Sequence, residues 1–222
     1  MIPKVNSPSD LQWVADFINH KRTYTRPEED EPRPIKILAL IESAKAIANL
    51  REICETATSQ LDGLIFAAED FALDLSLTRT PSLTEFLYAR SAIATACRAH
   101  ELPSTIDLVC TSFRGDEGRR TMEEECVGGK GLGFNGKQCI HPDQVAIAQK
   151  AFALSDAEVD WAVRVMIADE KADKQGRGAW TLDGKMIDVP VVGKATSLIR
   201  KAAACGINVD AAREKWKDQE PE

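Results

Sequence analysis

Short apolar runs alternate with longer amphipathic stretches along most of this chain. Strands that alternate with helices at this spacing predict βαβ units, and hence an α/β fold with a parallel sheet. A run such as IKILALI has no polar alternation, which is typical of a strand buried on both faces. Five segments are predicted as strands: Met1–Val5, Ile35–Ile41, Leu61–Ala68, Thr105–Cys110 and Lys137–Ile140.

Between and after these strands the pattern is mostly helical. Ser43 is predicted to cap a helix that runs to about Thr58, and another helix is expected from Pro81 to His100. The run Gly128–Gly133 looks like a phosphate loop, but it lacks the Gly-Lys-Ser/Thr ending and precedes a strand. We therefore interpret it as a tight turn between a helix near 119–127 and the last strand.

The C-terminal part of the chain has a different pattern. A helix capped by Ser155 is expected to run to Lys174, and Asp183-Gly184 is predicted as the turn of a hairpin. A last helix is expected from about Lys194 to Ala204. We predict three parts: residues 1–152, a helical extension at 153–205 and a charged tail at 206–222.

Composition narrows the functional classes. The chain has 222 residues and a formal net charge of -7, which argues against nucleic acid or an anionic membrane as the main partner. Its six cysteines include no CxxC pair, which is typical of reduced thiols in an intracellular protein. No apolar run reaches the roughly 18 residues expected of a membrane span.

Acidic residues follow two of the predicted strands. Glu42 comes directly after IKILALI, and Glu69-Asp70 follow GLIFAA. The carboxyl ends of parallel strands share one edge, where several carboxylates would repel one another unless a cation joins them. Two carboxylates with waters are a common protein contribution to a Mg²⁺ site. The alternative is that Glu42 only caps or pairs with the helix that follows it.

Two further polar residues have a structural and a functional interpretation. His141 follows the last strand and could act as a general base, although a lone histidine beside a proline is more often structural. Asp188 is a single acid in an apolar run, and its position favours a charge at the N-terminus of the final helix.

Five motifs, taken in order, resemble a known family: MIPKV, IKILALIESAKAI, GLIFAAEDFALDL, GFNGKQCIHPDQV and GKMIDVP. Together they are similar to the citrate lyase beta-subunit-like proteins, within the citramalyl-CoA and malyl-CoA lyases of the HpcH/HpaI aldolase-like TIM-barrel superfamily. The resemblance implies a (β/α)₈ barrel, of which Met1 would begin the fourth strand. The predicted architecture is thus a partial barrel over residues 1–152, comprising strands 4–8, with a C-terminal helical lid.

The resemblance also implies roles for individual residues. Glu42 matches the family's first metal-ligating acid, which also contacts substrate, and Asp70 matches the second. Asp188 matches an acid on the lid that works as general acid/base in a neighbouring subunit's site, so the resemblance favours a catalytic role for Asp188 over the structural one. The implied cofactor is Mg²⁺. The implied reaction cleaves or forms the C–C bond of a 3-hydroxyacyl-CoA, with acetyl-CoA and a 2-oxo acid on the other side.

Partners and location are predicted from the resemblance and the composition together. The resemblance implies that the chain binds an acyl-CoA and forms a homotrimer or another homo-oligomer, and the composition predicts no nucleic-acid or membrane partner. The chain would be mitochondrial in a eukaryote and cytoplasmic in a bacterium.

The resemblance leaves an alternative function open. The family begins with three further strands, which carry an arginine that binds the substrate carboxylate, and no motif here matches them. The alternative to an active lyase is therefore a non-catalytic remnant that keeps the metal site. The two hypotheses share a metal site and differ in catalysis.

Overall fold

The computed structural model describes residues 1–25, 35–55 and 60–222. Two compact units make up the chain, Met1–Phe152 and Ala153–Glu222. None of the helices in the described part of the chain is long and apolar enough to cross a membrane.

The first unit is built on a parallel sheet with the strand order β1-β2-β3-β4. Ile2, which belongs to none of these strands, forms a single parallel bridge to Ala39 of β1. The predicted α/β fold with a parallel sheet is therefore confirmed, and all five predicted segments contribute to the sheet, the first only as a bridge. The strands are β1 (Ile37–Ile41), β2 (Leu61–Phe66), β3 (Ser104–Asp107) and β4 (Gly136–Lys137).

Helices follow each strand of this sheet. A 3-10 turn at Thr84–Phe86 leads into the fifth of them. The helices of the first unit are α1 (Pro8–Thr25), α2 (Ala44–Ala48), α3 (Leu50–Glu55), α4 (Ala68–Leu75), α5 (Leu87–Ala99), α6 (Gly115–Leu132) and α7 (Pro142–Phe152).

The helix predicted after Ser43 is two helices. Asn49 ends α2, and its side-chain amide donates a hydrogen bond to the backbone oxygen of Asn6 at 2.8 Å. This bond ties the interruption between α2 and α3 to the loop at the start of the chain. Residues 56–58 of the predicted helix lie outside the described residues.

The interpretation of Gly128–Gly133 as a turn is wrong for most of its length. These glycines form the last turns of α6, and only Gly133, with φ +101°, leaves the helix. The helix persists because Gly129 packs against the sheet: a Cβ there would lie 2.5 Å from Asp107 Oδ2. Glycine is thus required for close packing at this point.

Close approach of strands and aromatic packing define the core of the first unit. A Cβ on Gly63 of β2 would lie 2.1 Å from the backbone oxygen of Ser104 in β3, so only glycine fits there. Phe66, Phe71 and Phe86 pack edge to face, with centroid separations of 5.4–6.4 Å. Phe71 belongs to α4, so this cluster anchors that helix on the sheet.

The second unit consists of three helices and a hairpin. Asp183 and Gly184 both have positive φ, as a two-residue hairpin turn requires, and the predicted hairpin is confirmed. The segment predicted as a charged tail contains a helix. The elements are α8 (Asp156–Lys174), β5 (Trp180–Leu182), β6 (Lys185–Ile187), α9 (Val189–Ala204) and α10 (Val209–Lys215).

Capping residues define the helices of this unit. Ser155 and Glu158 form a reciprocal capping box at the start of α8, as the sequence predicts for Ser155. The helix predicted from Lys194, α9, begins earlier, at Val189. Asp188 is its N-cap, and Pro190 lies in its first turn. Proline is tolerated there because a backbone N–H in the first turn would have no acceptor within the helix.

Candidate metal and substrate site

Glu42 is the first residue after β1, at the carboxyl edge of the sheet. Its side chain is only 4% exposed. The next residue, Ser43, caps α2 by accepting a hydrogen bond from the backbone N–H of Ala46 at 3.0 Å. The capping role considered for Glu42 therefore belongs to Ser43, and the Glu42 carboxylate contacts residues outside α2.

Asp70 lies in the first turn of α4, and not at the end of a strand as the sequence pattern indicated. The preceding strand, β2, ends at Phe66. A carboxylate in the first turn of a helix is favoured by the helix dipole. The side chain of Asp70 is 48% exposed, so the second acid is open to solvent where the first is buried.

The structure brings these two acids together around one residue, Lys4. The Lys4 Nζ atom lies 2.5 Å from Asp70 Oδ1 and 3.3 Å from Glu42 Oε1. The backbone N–H of Lys4 also donates to Glu42 Oε1, at 2.6 Å. Because one nitrogen contacts both carboxylates, a single cation can be shared between them.

The charge of Lys4 is reinforced by this arrangement. The hydrogen bond to Asp70 is the largest contribution and raises the pKa of Lys4; partial burial opposes it, and Glu42 adds to the increase. The ammonium therefore stays protonated at neutral pH. Lys4 was not among the site residues predicted from the sequence. It lies near the end of the predicted strand Met1–Val5, and a charged residue at that position is the signal that could have found it.

Glu69, the neighbour of Asp70, belongs to a different cluster. Arg79 lies 2.6 Å from Glu69 Oε1 and 2.8 Å from Glu125 Oε1. Lys137 Nζ lies 2.8 Å from Glu125 Oε2 as an ion pair, without the alignment of a hydrogen bond. The cluster thus fixes Glu69 and is distinct from the site around Lys4. No local sequence pattern indicated it.

Asp188 lies in the second unit. Its Oδ1 atom accepts a hydrogen bond from the backbone N–H of Val191 at 3.3 Å, and the residue is the N-cap of α9. The sequence indicated this position at the start of a helix, and the structure confirms it. A role in catalysis remains a prediction from the resemblance.

His141 makes a ring contact and a local hydrogen bond. Its ring stacks on Phe113 with centroids 5.2 Å apart, and its Nδ1 atom accepts a hydrogen bond from the backbone N–H of Asp143 at 3.3 Å. Within the described part of the chain these contacts give the histidine a packing role.

The donor set at Lys4 fits a hard divalent cation. Two carboxylates that already share a cation offer the oxygen ligands that Mg²⁺ prefers, with waters or substrate oxygens completing the shell. Among the residues that the structure describes, no group of three or more His, Cys, Asp or Glu side chains could hold a metal. A cation at Glu42 and Asp70 would therefore keep several coordination positions for other ligands.

Curated relatives cover nearly all of the chain. Human mitochondrial citramalyl-CoA lyase is 32% identical over 211 residues, which are 92% of this chain and 60% of that protein. The citrate lyase beta subunit of Escherichia coli is 36% identical over 207 residues, 93% of this chain and 66% of the relative. A (3S)-malyl-CoA thioesterase of Cereibacter sphaeroides is 32% identical over 204 residues, 92% and 65% of the two chains.

The chain spans about 60% of the length of the mitochondrial citramalyl-CoA lyases that it matches. Solved structures show the same fold at lower identity. A citrate lyase from Burkholderia xenovorans aligns with a TM-score of 0.79 at 20% identity, over 96% of this chain and 66% of that one. The CitE protein of Mycobacterium tuberculosis, in complex with magnesium, acetoacetate and coenzyme A, aligns with a TM-score of 0.67 at 24% identity, over 90% and 66%.

A family model assigns the first unit directly. The model described as HpcH/HpaI aldolase/citrate lyase matches residues 1–142, well over half of the chain, and this range contains Lys4, Glu42 and Asp70. Together with relatives above 30% identity along more than nine-tenths of the chain, this match establishes the relationship. The chain belongs to the HpcH/HpaI aldolase/citrate lyase family.

Proposed function

We propose that this chain is part of a Mg²⁺-dependent acyl-CoA lyase of the citramalyl-CoA or malyl-CoA type. The reaction breaks the C–C bond of a 3-hydroxyacyl-CoA and releases acetyl-CoA and a 2-oxo acid, or runs in reverse. The observation that carries the proposal is the convergence of Glu42 and Asp70 on one cation position. The family membership and the names of the relatives supply the chemistry.

Glu42 and Asp70 would hold the metal. When bound, Mg²⁺ would supply positive charge beside the carboxylate and hydroxyl oxygens of the substrate's acid end, where negative charge develops. Glu42 is oriented for this by the Lys4 backbone N–H, and its burial keeps water away from one side of the site. Glu42 would also contact the substrate, as the family resemblance implies.

Asp188 would handle the proton. In cleavage the bond between C2 and C3 of the acyl chain breaks, the hydroxyl proton on C3 passes to solvent, and C3 becomes the carbonyl carbon of the 2-oxo acid. The electron pair of the broken bond passes to C2 of the thioester fragment, and the protonated Asp188 carboxyl delivers a proton to C2. In reverse, the Asp188 carboxylate removes a proton from the methyl group of acetyl-CoA. The family resemblance supports action on a neighbouring subunit's site, and hence a homotrimer or another homo-oligomer.

The alternative is a protein that binds the metal without catalysing the reaction. The specific observation behind it is that the chain spans about 60% of the human citramalyl-CoA lyase, so part of that enzyme has no counterpart in the alignment. The family's carboxylate-binding arginine is the group that this alternative would lack.

A direct assay separates the two. The purified chain is incubated with citramalyl-CoA or malyl-CoA and Mg²⁺, and release of acetyl-CoA, pyruvate or glyoxylate is followed. We expect release that Asp70→Asn abolishes and that Glu124→Gln, an exposed carboxylate on α6, leaves unchanged. Metal binding without any product release would favour the non-catalytic alternative. Activity that survives Asp70→Asn would contradict the metal assignment.

Action across subunits has its own test. Asp188→Asn and Glu42→Gln would each be inactive alone, and mixing them would restore part of the activity if one chain supplies the acid to another chain's metal site. Mixtures that stay inactive, from variants shown to exchange subunits, would place Asp188 in its own chain's reaction or outside the reaction.

A further inference from the structure

Lys4 is the one described residue that contacts both proposed metal ligands through its side chain and one of them through its backbone. The Nζ atom is 2.5 Å from Asp70 Oδ1 and 3.3 Å from Glu42 Oε1, and the backbone N–H is 2.6 Å from Glu42 Oε1. What these contacts imply for Lys4 rests on the proposed function, because it takes the two acids as metal ligands.

The backbone of Lys4 is held in an unusual conformation. Its φ is +56°, in the left-handed region that residues with a Cβ rarely adopt. Such a conformation persists where the surroundings determine it. Val5 is fully buried, and Asn6 receives hydrogen bonds from Ser43 and Asn49. These contacts hold the backbone of residues 5 and 6, and with it the Cα position from which the Lys4 side chain extends.

The Lys4 side chain is 66% exposed, whereas the Glu42 carboxylate that it contacts is 4% exposed. A buried carboxylate without a counter-charge is costly, because burial removes the water that would solvate it. In the absence of a metal, the ammonium of Lys4 supplies that charge while the backbone N–H supplies a hydrogen bond.

A divalent cation and the ammonium cannot share this position. Glu42 and Asp70 would hold Mg²⁺ through their carboxylate oxygens, and the Nζ atom of Lys4 already contacts both of these carboxylates. Two positive charges held by the same two carboxylates would also repel each other strongly in a partly buried site.

We propose that Lys4 is an internal substitute for the metal: its ammonium neutralises Glu42 and Asp70 when the metal is absent and must be displaced for the metal to bind. Lys4 thereby sets the metal affinity of the site. It is a positioning residue for the metal ligands, and its own backbone N–H keeps Glu42 in place in both states.

The test compares the Mn²⁺ affinity of the wild type and of Lys4 variants, each as the full chain at low ionic strength. Binding is measured through the electron paramagnetic resonance signal of free Mn²⁺. Lys4→Gln removes the charge and keeps the backbone N–H, and we expect it to bind Mn²⁺ about tenfold tighter or more. Lys4→Arg keeps the charge and is expected to stay near the wild type. Lys150→Gln, on α7, is the control for loss of one positive charge.

A second readout does not depend on affinity. In the presence of a chelator, Lys4→Gln is expected to melt at a lower temperature than the wild type, and Mn²⁺ is expected to raise its Tm by more. If Lys4→Gln does not fold, Lys4→Gly, which suits the positive φ, replaces it.

The outcomes distinguish this inference from the proposed function. If Lys4→Gln and Lys4→Gly bind Mn²⁺ no more tightly than the wild type, while Asp70→Asn still loses binding, the role of Lys4 is overturned and the metal site stands. Absence of binding in the wild type and in every variant would overturn both.

Discussion

Lys137 Nζ lies 2.8 Å from Glu125 Oε2, and both side chains are buried. Arg79 contacts the other carboxylate oxygen of Glu125 at 2.8 Å and Glu69 at 2.6 Å. Glu69 immediately precedes Asp70 in the first turn of α4. A series of alternating charges thus connects β4 to α4, the helix that carries the second proposed metal ligand.

The two partners of this ion pair are predicted to respond unequally to substitution. Glu125→Gln leaves the buried ammonium of Lys137 without a charge partner and should lower the free energy of unfolding by about 3 kcal/mol. Lys137→Met leaves Glu125 paired with Arg79 and should cost about 1 kcal/mol. Urea denaturation followed by circular dichroism measures both. A larger loss for Lys137→Met would contradict the arrangement.

Two adjacent glycines of α6 are predicted to give opposite effects. Gly128 is exposed with open space around it, so Gly128→Ala should stabilise the protein by about 0.5–1 kcal/mol through helix propensity. Gly129→Ala places a Cβ 2.5 Å from Asp107 Oδ2 and disturbs the buried pair with Arg90, so it should destabilise by about 1–3 kcal/mol. Thermal denaturation of the two variants checks the signs, and destabilisation by both would argue for a turn here.

Two substitutions of Asp188 are predicted to distinguish its role as an N-cap from its proposed role as an acid. Asn is as good an N-cap as Asp, so Asp188→Asn should keep the stability of the second unit while removing the proposed acid and its activity. Asp188→Ala should lose the activity and also about 1 kcal/mol of stability. Chemical denaturation and acetyl-CoA release are measured on the same samples. Full activity in Asp188→Asn would leave the residue with its capping role alone.

The loop that carries Lys4 is predicted to loosen in acid through Asp10. Hydrogen bonds from the backbone N–H groups of Asn6, first, and of Ser7 lower the pKa of Asp10, with burial opposing them. A carboxyl whose pKa is lowered by folding stabilises the protein at pH values above its pKa in the unfolded state, about 3.9. This stabilisation is lost as the pH falls through its pKa in the folded state. Asp10→Asn should therefore flatten the decline of stability below about pH 4.5. The measurement is urea denaturation across pH 7 to 3, with Asp16→Asn, an exposed acid of the same helix, as control.

Local pattern determined the strands and several helix ends of this chain. Burial on both faces makes a strand such as Ile37–Ile41 apolar throughout, so its position is visible in the sequence. Because the carboxyl ends of parallel strands meet at one edge, the order of strands and acids also predicts that Glu42 and Asp70 lie on the same side of the sheet. Hairpin chemistry at Asp183-Gly184 and the cap at Ser155 are similarly local, because each depends on neighbouring residues only.

Only the tertiary structure decided what those carboxylates contact. Lys4 reaches Glu42 across 38 positions and Asp70 across 66, through a positive φ that no local preference of lysine predicts. The helical state of Gly128–Leu132 was likewise hidden, because glycine is unfavourable in helices and the packing of Gly129 on Asp107 outweighs that preference. The sequence determined which residues could form the site, and long-range packing determined that a lysine lies between them.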